Sequence, residues 1–194
     1  MRGKRVLLSM PTGSGAAPIK RASLFAALLA ACLILTGGVL IAAETSAGTQ
    51  PAHSVLKVYD GDTILVAGPQ GRQMIRLLGI DAPETSKGRD KPGQPYSQKA
   101  RRYLAGLILK HSISLVTYGE DRYRRTLAVV FYDGRNINLA MIEAGLAEAY
   151  RGRTPDVFDP SPYLEAEAQA RQAMKGMWRQ GANYVSPNRW KHPR

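Results

Sequence analysis

The turn Gly68-Pro69-Gln70-Gly71 constrains this chain more than any other stretch. It separates two short runs rich in β-formers, residues 63–67 (TILVA) and 72–80 (RQMIRLLGI), which are expected to pair as a β-hairpin. Another β-rich run, residues 54–59 (SVLKVY), comes just before them. The pairing has a chemical consequence. Asp60-Gly61-Asp62-Thr63 leads into the second run and Asp81-Ala82-Pro83-Glu84 follows the third. A hairpin folded about residues 68–71 therefore brings both sets of acids to one end of the sheet. Asp62 and Asp81 lie nearly symmetrically about the turn.

Carboxylates converging from two strand ends form an all-oxygen donor set, which suits a hard divalent cation such as Ca2+. The bland alternative is a plain turn at Asp60-Gly61-Asp62 and an ordinary loop start at residues 81–84. Arg76 lies on the strand that ends at Asp81, and Arg125 closes the run DRYRR, residues 121–125. Arginine grips phosphate through paired donors. Two arginines facing a bound cation describe a phosphoryl-transfer site, whereas a strand-edge salt bridge and a solvated basic cluster are the alternatives.

The remaining elements suggest a small barrel carrying helices, a β-rich α+β fold. Pro95 suits the first position of a helix running to about Leu109, followed by a strand over 112–118. Residues 126–132 (TLAVVFY) form another strand that turns at Asp133-Gly134. Asn138 is placed to cap a short helix ending near Gly145. Ser161-Pro162 opens a last helix reaching about Trp178, with Leu164, Ala168 and Met174 near one face. The loop 85–94 (TSKGRDKPGQ) is basic, either a grip for a polyanion or a solvated mobile segment.

Composition narrows the chemistry. Lys and Arg number 27 against 15 acids, a formal charge of +12, which suits a polyanionic partner such as nucleic acid or anionic lipid. The single cysteine, Cys32, sits in an N-terminal apolar run, so the downstream domain can build neither a disulfide nor a thiolate metal site. His53, His111 and His192 lack zinc-ligand spacing.

The N-terminus reads as a basic segment, residues 1–21, followed by a charge-free apolar run, residues 22–43. That length matches a bilayer-spanning helix, and the basic flank keeps the N-terminus cytoplasmic. The expectation is a membrane anchor with the rest of the chain outside the cytoplasm. The alternative is a signal sequence cleaved near Ala43–Ala47, giving a secreted or periplasmic protein. Residues 44–53 read as a linker and residues 179–194 as a polar, loosely held tail.

The ordered set DGDT, RLLGIDAPE and DRYRRTLAVVFYDG resembles the thermonuclease, or staphylococcal nuclease, family over residues 54–178. The resemblance implies an OB-type five-stranded barrel with three helices and Ca2+-dependent endonucleolytic cleavage of DNA and RNA phosphodiesters, leaving 3′-phosphate ends. It implies Asp62 and Asp81 as the carboxylates that bind calcium, with Ala82 contributing a backbone carbonyl where some members carry Thr. Glu84 matches the glutamate that orients or deprotonates the attacking water, and Arg76 and Arg125 match the arginines that hold the scissile phosphate. Arg122 and Tyr123 match positions near a terminal phosphate, and Tyr150 matches a tyrosine packed on the nucleotide. One departure stands out. Family members often carry Gly where this chain has Arg124, and a positive φ there would strain an arginine. A monomer without protein partners is expected. The rival readings are a non-catalytic nucleic-acid-binding OB module at the cell envelope and an envelope protein with a borrowed fold.

Overall fold

A computed structural model describes residues 52–86, 88 and 92–193. The expected anchor at 22–43, its basic flank, most of the linker and part of the 85–94 loop lie outside the described residues. Among the described residues, no helix is long and apolar enough to cross a membrane.

The β-branched runs become strands as their composition requires. β1 (His53–Val58), β2 (Thr63–Gly68) and β3 (Gly71–Leu77) form an antiparallel meander, with Gly68 opposite Gly71 and Thr63 opposite Arg76. β4 (Ile80–Asp81) follows a corner. β5 (Ser112–Glu120) pairs with β1, and β6 (Thr126–Tyr132) pairs with β5. β6 then runs parallel to β3, and this last pairing closes a five-stranded barrel. Closure leaves no open edge in the ring. Val55, Ile64, Val66, Ile75, Leu77 and Val130 are almost fully buried in its core. β7 (Arg135–Asn136) extends β6 as a short hairpin.

The expected single strand over 72–80 is two strands. β3 stops at Leu77, and Gly79 turns the chain with φ +79°, where an added Cβ would lie 2.4 Å from the Phe158 ring. Only glycine tolerates both demands. Beyond this corner β4 leaves the barrel and pairs with β8 (Glu148–Ala149), placing Asp81 directly across from Glu148.

The helices cover the barrel. α1 (Ser97–Ile108) buries Ala100, Leu104 and Ile108, spaced along one face, and begins two residues after Pro95 because Tyr96 adopts φ 70°. α2 (Ile137–Glu143) is capped by Asn136, whose side chain accepts the Leu139 N–H at 3.0 Å. Asn138, the expected cap, has a different task. It is fully buried, accepts the Val130 N–H at 3.0 Å, and donates to the carbonyls of Leu78 (2.8 Å) and Ala128 (3.0 Å). It thus stitches β6 to the Leu78 corner.

α3 (Ser161–Gln172) ends earlier than expected, because Met174 takes φ 50° and a 3-10 segment, Gly176–Asn183, follows. Its buried face is also different. Tyr163, Glu167 and Ala170 point inward, while Leu164, Ala168 and Met174 are exposed. Glu167 can be buried because Arg151 and Arg171 both pair with it, Arg171 at 2.7 Å. The tail is packed rather than loose. Trp178 and Tyr184 pack with tilted rings, centroids 4.6 Å apart, and a short helix α4 (Pro187–Lys191) follows.

Candidate functional site

The acids at the β1–β2 turn are held by their own backbone. Asp60 accepts the Asp62 N–H at 3.0 Å, a local Asx turn, and the Tyr59 N–H meets the Thr63 carbonyl at 2.9 Å. Between the two acids the chain is squeezed. A Cβ on Gly61 would lie 2.6 Å from that of Ala82 and 2.8 Å from that of Ala100. The glycine therefore lets the turn press against the start of the 82–86 segment.

Asp62 is 1% exposed, and its carboxylate is fully engaged. It accepts the Ala82 N–H at 2.7 Å and the Thr63 hydroxyl at 3.1 Å, and it pairs with one arm of Arg76. The other arm of Arg76 meets Asp81 at 2.9 Å. The hairpin register explains this fork. Arg76 faces Thr63 across the ladder, one residue from Asp62, and the Gly79 corner then swings Asp81 back to the same guanidinium. The strand carries an arginine beside the core because two buried carboxylates await it.

Asp81 and Glu84 meet a second cation. The Lys191 ammonium lies 2.7 Å from Asp81 Oδ1 and 3.0 Å from Glu84 Oε1. Glu84 sits at the stem of the 85–94 loop, where its backbone N–H donates to the Gln94 side chain at 3.2 Å and its carbonyl accepts the Gln94 N–H at 2.8 Å. Among the described residues, no three His, Cys, Asp or Glu side chains gather into a preformed metal cluster.

Two acids were missed in the sequence. Burial pushes the Asp60 carboxyl above its ordinary range; Arg76 and the Thr63 hydroxyl pull it back, Glu84 adds to the rise and Arg125 opposes it. Asp60 thus feels Arg76, Glu84 and Arg125 together and belongs to the same field. The signal was present, because Asp60 sits in the same short turn as Asp62. Glu148, across from Asp81, is also pushed up, first by burial and further by Asp81, while the Tyr184 hydroxyl at 2.6 Å offsets part of the effect. Nothing local in the sequence marks it.

Arg125 has a carboxylate partner of its own, Asp121. Asp121 clasps it with contacts of 2.8 Å to Nε and 2.6 Å to Nη2, and also accepts the backbone N–H groups of Tyr123 and Arg125. Burial disfavours the Asp121 carboxylate, but these bonds outweigh it and hold the carboxyl below its ordinary range. Arg124 carries φ 60°, the conformation that its glycine counterparts would adopt without strain. Tyr123 is 64% exposed, with Arg122 and Arg125 at 4.8 and 5.3 Å from its ring. Tyr150 lines a cleft of about 700 Å3 together with Asp81, Arg151, Arg171 and Arg189.

A barrel end that presents carboxylates, guanidinium forks and an exposed tyrosine can bind a cation, hold a phosphate and stack a base. Comparison with known proteins supports a nuclease. Residues 74–180 match the model of the staphylococcal nuclease homologue family. An uncharacterized endonuclease of Haemophilus influenzae is 35% identical over 162 residues, 82% of this chain and 84% of its own. A micrococcal nuclease of Shigella flexneri is 32% identical over 174 residues, 84% and 93% of the two chains. Protein ParB of Escherichia coli is 33% identical over 148 residues, 71% and 77%. The family match over more than half of the chain, these relatives and the closed barrel together show that the chain belongs to the staphylococcal nuclease homologue family.

Proposed function

We propose that this hydrolytic nuclease is a Ca2+-dependent endonuclease that cleaves both DNA and RNA and leaves 3′-phosphate ends. The observation that carries the reading is Arg76 forked between buried Asp62 and Asp81 at the mouth of the barrel. The donor chemistry fits a hard cation, since Asp62 and Asp81 offer carboxylate oxygens, which are hard donors. Asp62 and Asp81 would hold the ion, with Asp60 adding negative field. Once bound, Ca2+ supplies Lewis-acid polarisation of the scissile phosphate.

The protein's own groups do the rest. Arg76, whose two arms pair with Asp62 and Asp81 in this structure, would turn a donor to the equatorial phosphate oxygens, and Arg125, steadied by Asp121, would do so from the 121–125 turn. Glu84 accepts a proton from the attacking water. The water oxygen bonds to phosphorus, the bond to the 5′ oxygen breaks, and that oxygen takes a proton from solvent and leaves as a hydroxyl, while Glu84 later returns its proton to solvent. Arg122 and Tyr123 grip a neighbouring phosphate, and Tyr150 packs on the nucleotide. Residues 22–43, by their length and basic flank, support a membrane anchor with the barrel outside the cytoplasm.

The test is digestion of single- and double-stranded DNA and RNA by the full chain, with Ca2+ and with chelator. The proposal requires cleavage of all four with Ca2+ alone and 3′-phosphate on the products. Binding without cleavage favours a non-catalytic module instead.

A further inference from the structure

The C-terminal segment lies past residue 180, where the match to the family model stops. It is anchored at several points. Tyr184 donates to Glu148 at 2.6 Å, the Val185 carbonyl accepts from the buried Gln94 at 2.7 Å, Ser186 caps α4 through the Arg189 N–H at 3.2 Å, and Pro187 is buried. Gln94 in turn holds the Glu84 backbone, so the segment is tied to the stem of the loop that carries Glu84. These ties deliver Lys191, the last residue of α4, to Asp81 and Glu84 at 2.7 and 3.0 Å.

Lys191 and Arg76 share the same oxygen, Asp81 Oδ1, but differ in kind. Arg76 is 13% exposed and built into a barrel strand. Lys191 is 27% exposed and hangs from a short terminal helix on a flexible stem. A cation drawn to Asp81 repels an ammonium on that same oxygen, and the weaker tether yields. We propose that Lys191 is a further residue of this site that sets its cation affinity: a tethered competitor that the divalent ion must displace, releasing α4 from Asp81 and Glu84. The inference rests on the reading of Asp81 as a cation ligand. Its consequence is reciprocal. Ca2+ loosens the C-terminal segment, and the segment weakens Ca2+ binding by the same factor.

The test uses the full chain in detergent, freed of metal and titrated with CaCl2 by calorimetry, comparing wild type, Lys191→Met and Lys191→Arg. Amide hydrogen exchange over residues 184–193 is followed with and without CaCl2. Lys191→Met keeps the stem and removes the charge, so it should bind Ca2+ at least about fivefold tighter. Lys191→Arg should remain near wild type. Exchange at 186–192 should quicken with Ca2+ in wild type and show no such response in Lys191→Met. Equal or weaker binding by Lys191→Met, or exchange indifferent to Ca2+ in wild type, overturns the competitor role while leaving Asp81 as a ligand. Absence of Ca2+ binding in wild type and Lys191→Met alike overturns both this inference and the proposed cation site.

Discussion

Replacing Arg76 by Ala tests the site through stability before it tests catalysis. Arg76 is the shared counter-ion of two carboxylates, Asp62 and Asp81, whose side chains are 1% and 6% exposed. Removing one partner from a buried ion network typically costs about 3–5 kcal/mol, because the remaining charges are left without compensation. Two acids remain here, but the Ala82 N–H and Thr63 hydroxyl still serve Asp62 and Lys191 still serves Asp81. The lower end of that range, about 3 kcal/mol, is therefore expected. For a domain of this size it corresponds to roughly 10 °C in Tm. Saturating CaCl2 should restore part of the loss, since the cation takes over neutralisation of the same carboxylates. Urea unfolding of wild type and Arg76→Ala at neutral pH, with and without CaCl2, measures both effects. A loss under about 1 kcal/mol, or a loss that CaCl2 leaves unchanged, would show that Arg76 is not the shared counter-ion of Asp62 and Asp81. Turnover should fall as well, by roughly a hundredfold or more for one phosphate donor, measured under conditions where the variant is folded.

Three further outcomes follow from single positions. Arg124→Gly should raise stability by about 1 kcal/mol in thermal melts, because φ 60° strains an arginine and suits glycine. Gly61→Ala should cost roughly 1–3 kcal/mol and lower activity, since its Cβ would overlap Ala82 and Ala100 and spread Asp60 from Asp62. Asp121→Asn should release Arg125 and slow cleavage about tenfold, which a steady-state comparison would read. The Asp121 carboxyl is held low, so its support of the 121–125 turn is full above the ordinary carboxylate range and fades as pH falls through the folded-state value. Amide exchange in that turn should quicken on acidification in wild type, and Asp121→Asn should lack the transition.

The barrel was legible because its strands are short β-branched runs between glycine-rich turns, and a single turn at 68–71 set the register that joins Asp62, Arg76 and Asp81. What sequence missed depended on long-range partners. Asn136 and Asn138 both precede the α2 apolar run, and only the packed β6 and the Leu78 corner decide that Asn138 is buried and Asn136 caps. Helical periodicity put Leu164, Ala168 and Met174 near one face, and that face is exposed. The buried residue is Glu167, made acceptable by Arg151 from a separate loop. Lys191 reaches Asp81 across 110 residues, a contact that neither composition nor spacing announces. Asp60 was within reach of sequence reasoning, since the pattern DGD sets both acids in one short turn.

The most direct measurement is Ca2+-dependent cleavage of an end-labelled oligonucleotide by the full chain, with Asp81→Asn run alongside. The account expects fragments bearing 3′-phosphate only when Ca2+ is present, and a loss of roughly a hundredfold or more in Asp81→Asn. Cleavage that persists in chelator, or an Asp81→Asn chain as active as wild type, would contradict it.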